Sequence, residues 1–547
     1  MSRKKHKRDE LGEWQDKLIV TSQSKRMGYF DGEGENEWIE RLRVRIVSLV
    51  MVLIGVGLIS RLMYLTVMES GRHVLQSENN NLEQVREYAS RGIITDYMGR
   101  ELVKNIGDQD QKGREYLLGS DGAHLLGYMS EVREDELGCR YGLCYVLGDW
   151  IGRTGVERVY ESILKGRDGD KVVEVDASGK VVRELGSNEA EEGLDLKLSV
   201  DLDLQRIVAN VIGERKGAVV ALDMQGKVLA LYSSPSYDPN LFTVHPDEVA
   251  KQALLDDKES EYFLNRVISG VYAPGSVFKL VTAYAGLESG EINSDTLIED
   301  IGEIVIDKYR YGNWYYDEYG KTEGKINLEK ALARSNDIFF YRLGEKVGVD
   351  EIVSWAHKMG LGEKTGIELL GESEGLVPSR LWKERATGER WFLGNTYHLS
   401  IGQGDLTATP LQIARMTLSA VSGRKCKVSV LAESKSKCEE IGISSENIAI
   451  VREGMRGACA HGGTAFPFFD FAPYVLCKTG TAQHAGQIDD ESLPADRQVL
   501  PHAWITVAYP GDNPTMILSV MLDSAGEGSH EAGPVAREIL EKWEEVK

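Results

Sequence analysis

The chain has 547 residues, of which 42% are hydrophobic, and a formal net charge of −22 at pH 7. At roughly 100–200 residues per domain it is too long for one ordinary domain, and it has enough apolar residues to bury substantial cores. The acidic excess argues against a nucleic-acid surface, which needs clustered Lys and Arg.

The first predicted element is a membrane anchor. Ile46 to Ser60 carries no charge, and the apolar run continues past Arg61 through LMYLTVM to Met68. A bilayer span needs about 20 apolar residues, and an arginine near one end can snorkel toward the headgroups. A cleaved signal peptide would have a short basic region and a small-residue cleavage site. Here a long polar stretch precedes the segment and ESGRHVLQ follows it, so the anchor is expected to stay. Arg41, Arg43 and Arg45 flank it, with RKKHKR (Arg3 to Arg8) further back. By the positive-inside rule the N-terminus is cytoplasmic and the rest lies outside. All six cysteines (Cys139, Cys144, Cys426, Cys438, Cys459, Cys477) fall on that outer side, where disulfides are permitted but not required. CRYGLC closes a tight loop if Cys139 and Cys144 pair, and Cys426 with Cys438 is a second possible pair. Neither cysteines nor histidines stand at zinc-like spacing, and no metal or cofactor is expected.

RGIITDYMGRELVKN (Arg91 to Asn105) and DKVVEVDASGKVVREL (Asp170 to Leu185) read as strands joined by Gly-containing turns, within a β-containing pedestal. Near residue 200 the pattern changes. A strand (Leu196 to Val200) runs into a helix (Leu202 to Gly213) and an apolar strand (Ala218 to Leu222). From there on helices and strands intermix, closing with strand-like AWITVAYP and TMILSVML and the helix EAGPVAREILEKWEEV. The expectation is an α+β catalytic domain.

Three polar knots carry possible chemistry. In YAPGSVFKLVTAYAGLESG, Ser276 precedes Lys279 by three residues, and residues so spaced share a helix face. The helix is apolar nearly all round, so its lysine is expected to be buried, with a lowered pKa, as the base for a serine nucleophile. Ser276 is equally placed for a plain N-cap. In ALARSNDIFFYRLGEKVG, Ser335, Asn336 and Asp337 are favoured N-caps for a helix beginning at Ile338. Alternatively, Ser335 and Asp337 project into the Ser276 cleft. VLCKTGTAQ reads as a strand, with Gly480 where a ligand backbone approaches closely, Lys478 as a cation, and Thr479 and Thr481 as hydroxyls for a carboxylate. In this order the three correspond to S-x-x-K, S-D-N (here Ser335-Asn336-Asp337) and K-T-G, the signature of penicillin-binding proteins and class A β-lactamases.

The chain resembles a class B penicillin-binding protein, a membrane-anchored peptidoglycan DD-transpeptidase, from the anchor to near the C-terminus. Beyond the triplet, IGRTGVERVYESILKGRDGDKVVEVDASGKVV, GAVVALDMQGKVLALYSSPSYDPNLF, LNRVISGVYAPGSVFKL and SIGQGDLTATPLQIARM carry the likeness. SNDIFFYRLGEKVGVDEIVSWAHKMGLGEKTGIELLGESEGLVPSR is closer to the elongation type than to the division type, which usually carries Asn at position 337.

The resemblance implies an α+β multidomain chain: cytoplasmic tail 1–45, transmembrane anchor 46–68, pedestal (dimerisation-type) domain 69–200 and a serine-β-lactamase-like transpeptidase domain 201–547. It implies that Ser276 attacks the carbonyl between the two terminal D-alanines of a stem peptide, with Lys279 as base and Ser335 and Asp337 shaping the proton path. Lys478, Thr479 and Thr481 would receive the terminal carboxylate, Gly480 would lie against the bound substrate, and the N–H groups of Ser276 and Thr481 would form the oxyanion hole. It further implies covalent binding of β-lactams, a SEDS-family glycosyltransferase and the elongation machinery as partners, and a bacterial cell-membrane location. Some elongation enzymes hold zinc with His, Cys and Asp between the first two motifs. DKYRYGNWYYDEYGKTEGKINLEKAL has neither His nor Cys, again implying no metal.

Other readings are a division-type transpeptidase, a carboxypeptidase, a β-lactamase or β-lactam sensor, and a non-catalytic scaffold that activates a SEDS glycosyltransferase. GESEG (Gly371 to Gly375) matches the nucleophile elbow of α/β-hydrolases, but Pro378 stands where the elbow's helix should run.

Overall fold

The computed structural model describes residues 37–72, 82–106, 113–140, 143–175, 179–243, 247–484 and 499–547. The basic run Arg3 to Arg8 lies outside them. The chain divides into one unit of residues up to Glu83 with Glu174–Arg183, and a second of Gln84–Val173 with Glu184–Lys547.

In the first unit, helix α1 (Glu37–Met63) continues as a π-helical turn, Tyr64–Met68. Its apolar side chains, among them Val47, Leu53 and Leu58, are exposed. Such a surface needs a bilayer to leave water. Among the described residues one helix is long and apolar enough to cross a membrane, over Arg41–Met68.

The pedestal part of the second unit holds a four-stranded sheet ordered Leu196–Lys197, Ile94–Thr95, Glu101–Asn105, Arg114–Tyr116. The turn expected in RGIITDYMGRELVKN forms where the Asp96 carboxylate accepts from the N–H groups of Met98 and Arg100 at 2.9 and 2.8 Å. Gly99 supplies the positive φ of 87° that the turn requires. Gly169–Val175 and Val181–Asn188 are strands, as expected, and the residues 176–178 between them lie outside the described residues. Beneath the sheet is a buried ion network. Glu157 receives Arg91 at 2.6 Å and Arg114 at 2.8 Å, and Arg91 also reaches Glu161 at 2.7 Å.

The catalytic part is built on an antiparallel sheet of β1 (Gly217–Asp223), β2 (Val228–Ser234), β3 (Leu476–Ala482), β4 (His502–Tyr509) and β5 (Met516–Leu522), in the order β2-β1-β5-β4-β3. Strand alternation sends Ala218, Val220 and Leu222 to one face and Val219 and Ala221 to the other. Helices cover both faces, so β1, β4 and β5 read as near-continuous apolar runs. On one face lie α2 (Leu202–Ile212) and the terminal α7 (Gly533–Val546), contributing Leu204, Val208, Ile539 and Leu540. On the other lie α3 (Lys279–Glu288) and α5 (Pro410–Ser422), contributing Leu280, Tyr284, Leu411 and Leu418.

The Asp201 side chain caps α2 by accepting from the N–H groups of Asp203 and Leu204. The expected strand Leu196 to Val200 shortens to Leu196–Lys197: the Leu198 N–H still donates to the Thr95 carbonyl, but Leu198 also bridges Leu431, and the Ser199 N–H donates to the Val430 carbonyl. GESEG has no helix after it; the next one, Arg380–Thr387, starts only beyond Ser379.

Pedestal and catalytic parts are stitched by side chains bonding to backbone. Asn240 accepts from the Tyr116 N–H at 2.9 Å and donates to its carbonyl at 3.0 Å. Gln205 donates to the Asp121 carbonyl at 2.6 Å.

Three disulfides form. Cys139–Cys144 and Cys426–Cys438 are the pairs open from sequence, and Cys459–Cys477 is an addition. The last joins the C-cap of α6 (Ser445–Ala458) to β3, one residue before Lys478.

Candidate active site

The local structure at Ser276 differs in kind from the helix expected. Pro274 opens a 3-10 turn, Gly275–Phe278, and α3 begins only at Lys279. Residues three apart in a 3-10 turn eclipse one another, and Lys279, three residues after Ser276, is the first residue past this turn. Gly275 has a φ of 55°, and a Cβ there would come within 2.7 Å of the Thr481 carbonyl, so β3 lies directly against the turn.

Lys279 is fully buried, as its apolar surroundings require. Its Nζ donates to the Ser335 carbonyl at 2.8 Å and to Asp337 Oδ1 at 2.7 Å, and lies 3.2 Å from Ser335 Oγ. Lys478 is also fully buried, and its Nζ donates to Ser335 Oγ at 2.9 Å and to the Thr479 carbonyl at 3.0 Å. The Ser335 hydroxyl therefore stands between two amines. Burial pushes the Lys279 amine below its ordinary 10.5, and the Asp337 carboxylate only partly offsets this. Burial and then the neighbouring Lys279 charge drive Lys478 well below the same value.

Both readings of S-N-D are met by different residues. Asn336 is the N-cap of α4 (Asp337–Val347), accepting from the Phe339 N–H at 2.9 Å. Ser335 is not a cap. It holds a left-handed φ of 51°, costly for a side chain other than glycine by about 1–3 kcal/mol, and lies between helix Leu328–Ala333 and α4. The buried Asp300 braces this bend by accepting from Asn336 Nδ2 at 2.8 Å and Asn313 Nδ2 at 3.1 Å. Asn313 in turn accepts from the Asp337 N–H at 3.2 Å. Asp300 and Asn313 escaped the sequence reading. A buried carboxylate between short strands leaves no periodic signal, and its partners come from distant turns.

A cavity of about 500 Å³ opens above the lysines, lined by Ser276, Ser335, Asp337, Thr479, Gly480 and Thr481, with Trp314, Gln403, Thr464 and Glu527 on its rim. All eight expected site residues thus meet at one place: six line the cavity, and Lys279 and Lys478 lie directly beneath it. Lys478 differs in how it takes part: its ammonium points at Ser335 behind the cavity wall, and the hydroxyls of Thr479 and Thr481 face the opening. Thr464, in HGGTAF, holds Thr479 Oγ1 at 2.8 Å, and the Gly528 N–H donates to Thr481 Oγ1 at 3.2 Å. Gly480 is required by the protein's own backbone: a Cβ there would sit 3.0 Å from the Pro274 carbonyl oxygen and 3.2 Å from Val277.

A nucleophile-bearing turn, two buried amines sharing one serine hydroxyl, and a strand edge of hydroxyls define a serine acyl-transfer site. Residues 217–541 match the family model of the penicillin-binding protein transpeptidase domain, and residues 106–198 that of the penicillin-binding protein dimerisation domain. The chain is 34% identical over 459 residues to the peptidoglycan D,D-transpeptidase MrdA of Haemophilus influenzae, covering 79% of this chain and 69% of that protein. Among solved structures, the penicillin-binding protein PBP2 of Helicobacter pylori in complex with MreC is similar at a TM-score of 0.75 and 25% identity, over 85% of this chain and 99% of that one. A chain of a peptidoglycan synthase complex that couples polymerization and crosslinking is similar at a TM-score of 0.73 and 29% identity, over 94% of this chain and 99% of that one. The protein belongs to the class B penicillin-binding proteins of the elongation type.

Proposed function

We infer that the protein is a serine-type peptidoglycan D,D-transpeptidase that cross-links stem peptides during cell-wall elongation. The observation that carries this reading is the placement of the Ser335 hydroxyl between the amines of Lys279 and Lys478, directly under the cavity that Ser276 lines.

A neutral amine has two N–H donors and one lone pair. For Lys279 the Ser335 carbonyl and Asp337 take the two donors, which frees the lone pair for the Ser276 proton. Ser276 Oγ then bonds to the carbonyl carbon between the two D-alanines. The C–N bond breaks, and the leaving amine takes the proton from Lys279 by way of Ser335. Thr479 and Thr481 receive the terminal carboxylate, and Lys478 acts from behind them by polarising Ser335. The N–H groups of Ser276 and Thr481 hold the oxyanion. The amine of a second stem peptide attacks the ester, forming the cross-link and releasing Ser276. Water in place of that amine gives carboxypeptidase turnover. β-Lactams enter by the same attack and remain as the acyl-serine.

The proposed division of the chain is cytoplasmic tail 1–45, anchor 46–68, pedestal 69–200 and transpeptidase domain 201–547, with the catalytic part outside the membrane, a reading supported by Arg41, Arg43 and Arg45 in the first turns of α1, ahead of its apolar run. The anchor and pedestal are proposed to meet a SEDS-family glycosyltransferase and elongation partners. The MreC-bound relative from Helicobacter pylori and the peptidoglycan synthase complex support that assignment.

Supplied with glycan strands bearing D-Ala-D-Ala stems, the full-length protein should release D-alanine and form cross-linked dimers, and Ser276→Ala should do neither. The acylation rate should rise with pH through a group titrating below 10.5, because the neutral form of Lys279 is the reactive one. Asp337→Asn removes the carboxylate that raises that pKa, so the rise should move to lower pH. A Ser276→Ala protein that still forms cross-links would overturn the assignment.

A further inference from the structure

We propose that His484, His502 and Asp523 form a binding site for a divalent transition metal of the zinc class, at the common end of β3, β4 and β5. The expectation of no metal rested on spacing along the chain, where these residues are far apart. Strand register assembles them. Ala482, the last residue of β3, pairs with His502, the first of β4, and Ala503 pairs with Leu522, the last of β5. His484 and Asp523 therefore follow directly from strand ends on either side of His502.

One nitrogen of each imidazole and one oxygen of Asp523 all lie within 4.8 Å of one another. His502 Nδ1 and Asp523 Oδ1 are 3.0 Å apart, and the two imidazole centroids are 4.0 Å apart. Zinc holds imidazole nitrogen and carboxylate oxygen at about 2.0–2.2 Å, so its tetrahedral ligand atoms stand about 3.3 Å from one another. The His502–Asp523 edge already has nearly that span, and a short rotation of the half-buried His484 closes the other two. Two imidazoles and a carboxylate, with the fourth position open to water, form a donor set that suits zinc.

The surroundings orient these groups as an outer shell does. Ser524 Oγ lies 3.0 Å from Asp523 Oδ1 and 3.1 Å from His484 Nε2, and its N–H donates to His502 Nδ1 at 3.3 Å. Ser524 adopts a left-handed φ of 53° to do so. Lys216 lies 3.5 Å from Asp523 Oδ2, and the Leu500 carbonyl 3.1 Å from His484 Nε2. The Tyr272 ring meets His502 edge-on at 5.0 Å and fixes its plane. The catalytic mechanism uses none of the three proposed ligands. They lie just beyond Thr481, so an ion would tie the cavity-lining strand to its two neighbours.

The test is zinc titration of chelator-stripped full-length protein in detergent, read by competition with a chromophoric indicator, and repeated with cobalt(II) for its visible absorption. One ion per chain is expected. His484→Ala and His502→Ala should each weaken zinc by at least about 100-fold, since even outer-shell changes cost 10–100-fold, and should abolish the cobalt bands. Penicillin acylation of each variant reports that it is folded, and keeps failure of this site distinct from failure of the transpeptidase reading. His484 is the less buried of the two imidazoles, so His484→Ala guards against a folding defect in His502→Ala. Zinc affinity unchanged in both variants, or no ion bound by the unaltered protein, would overturn the proposal and leave His502 and Asp523 as an ordinary hydrogen-bonded pair.

Discussion

Lys279→Ala lowers the rate of penicillin acylation at Ser276 by about 10²–10⁴-fold, the range that a positioned general base contributes, and leaves a folded protein. Two features separate the catalytic loss from a structural one. The Asp337 carboxylate released by the substitution is 16% exposed, so water reaches it, and Lys478 lies close enough to influence it electrostatically. The bend at Ser335 is braced independently by Asp300, Asn313 and Asn336, which do not depend on Lys279. Stopped-flow acylation with a fluorescent penicillin, alongside a thermal melt, reads both outcomes. An unaltered acylation rate would remove Lys279 from the mechanism.

Glu157→Ala destabilises the pedestal by about 3–5 kcal/mol, the cost of removing one partner from a buried ion pair. Glu157 has no exposed side chain, and the Arg91 and Arg114 side chains are 2% and 1% exposed. The substitution leaves two guanidinium groups in a site built for a carboxylate, with Glu161 compensating only Arg91. Burial alone would raise the Glu157 pKa, but Arg114 and Arg91 outweigh it and hold the group below its ordinary 4.5. Its contribution is therefore complete above pH 4.5 and is lost as pH falls through the lower folded value. Melts of the full-length protein across acid pH should show the unaltered chain losing stability in that window and the variant responding less. Equal melting temperatures at pH 7 would contradict the prediction.

Much of this molecule is legible in its sequence because the informative residues are local. α1, α2, β1, β4 and β5 come from apolar runs or clean caps, such as Asp201 before α2, and α7 from a one-sided apolar pattern that follows Pro534, none of which needs a distant partner. The site is legible for a related reason: each of its three motifs sits on its own turn or strand and keeps its spacing.

What escaped depends on tertiary placement. Ser276 lies on a 3-10 turn because β3 packs against Gly275, a contact between segments about 200 residues apart in sequence. Lys478 turns inward to Ser335 because strand alternation sends its neighbours Thr479 and Thr481 elsewhere. Asp300 and Asn313 support the site through hydrogen bonds that no periodicity announces. The Cys459–Cys477 pair joins a helix end to a strand, which spacing alone does not distinguish from other pairings.

Everything proposed for this cavity depends on Ser276 being its acylated nucleophile. Intact-protein mass spectrometry of the full-length protein after incubation with a penicillin, followed by peptide mapping, tests it most directly. A single covalent adduct on Ser276 is expected, persisting for hours and absent from Ser276→Ala. A folded protein that forms no adduct, or one modified at another residue, would contradict it and favour a scaffold whose role is to activate a glycosyltransferase.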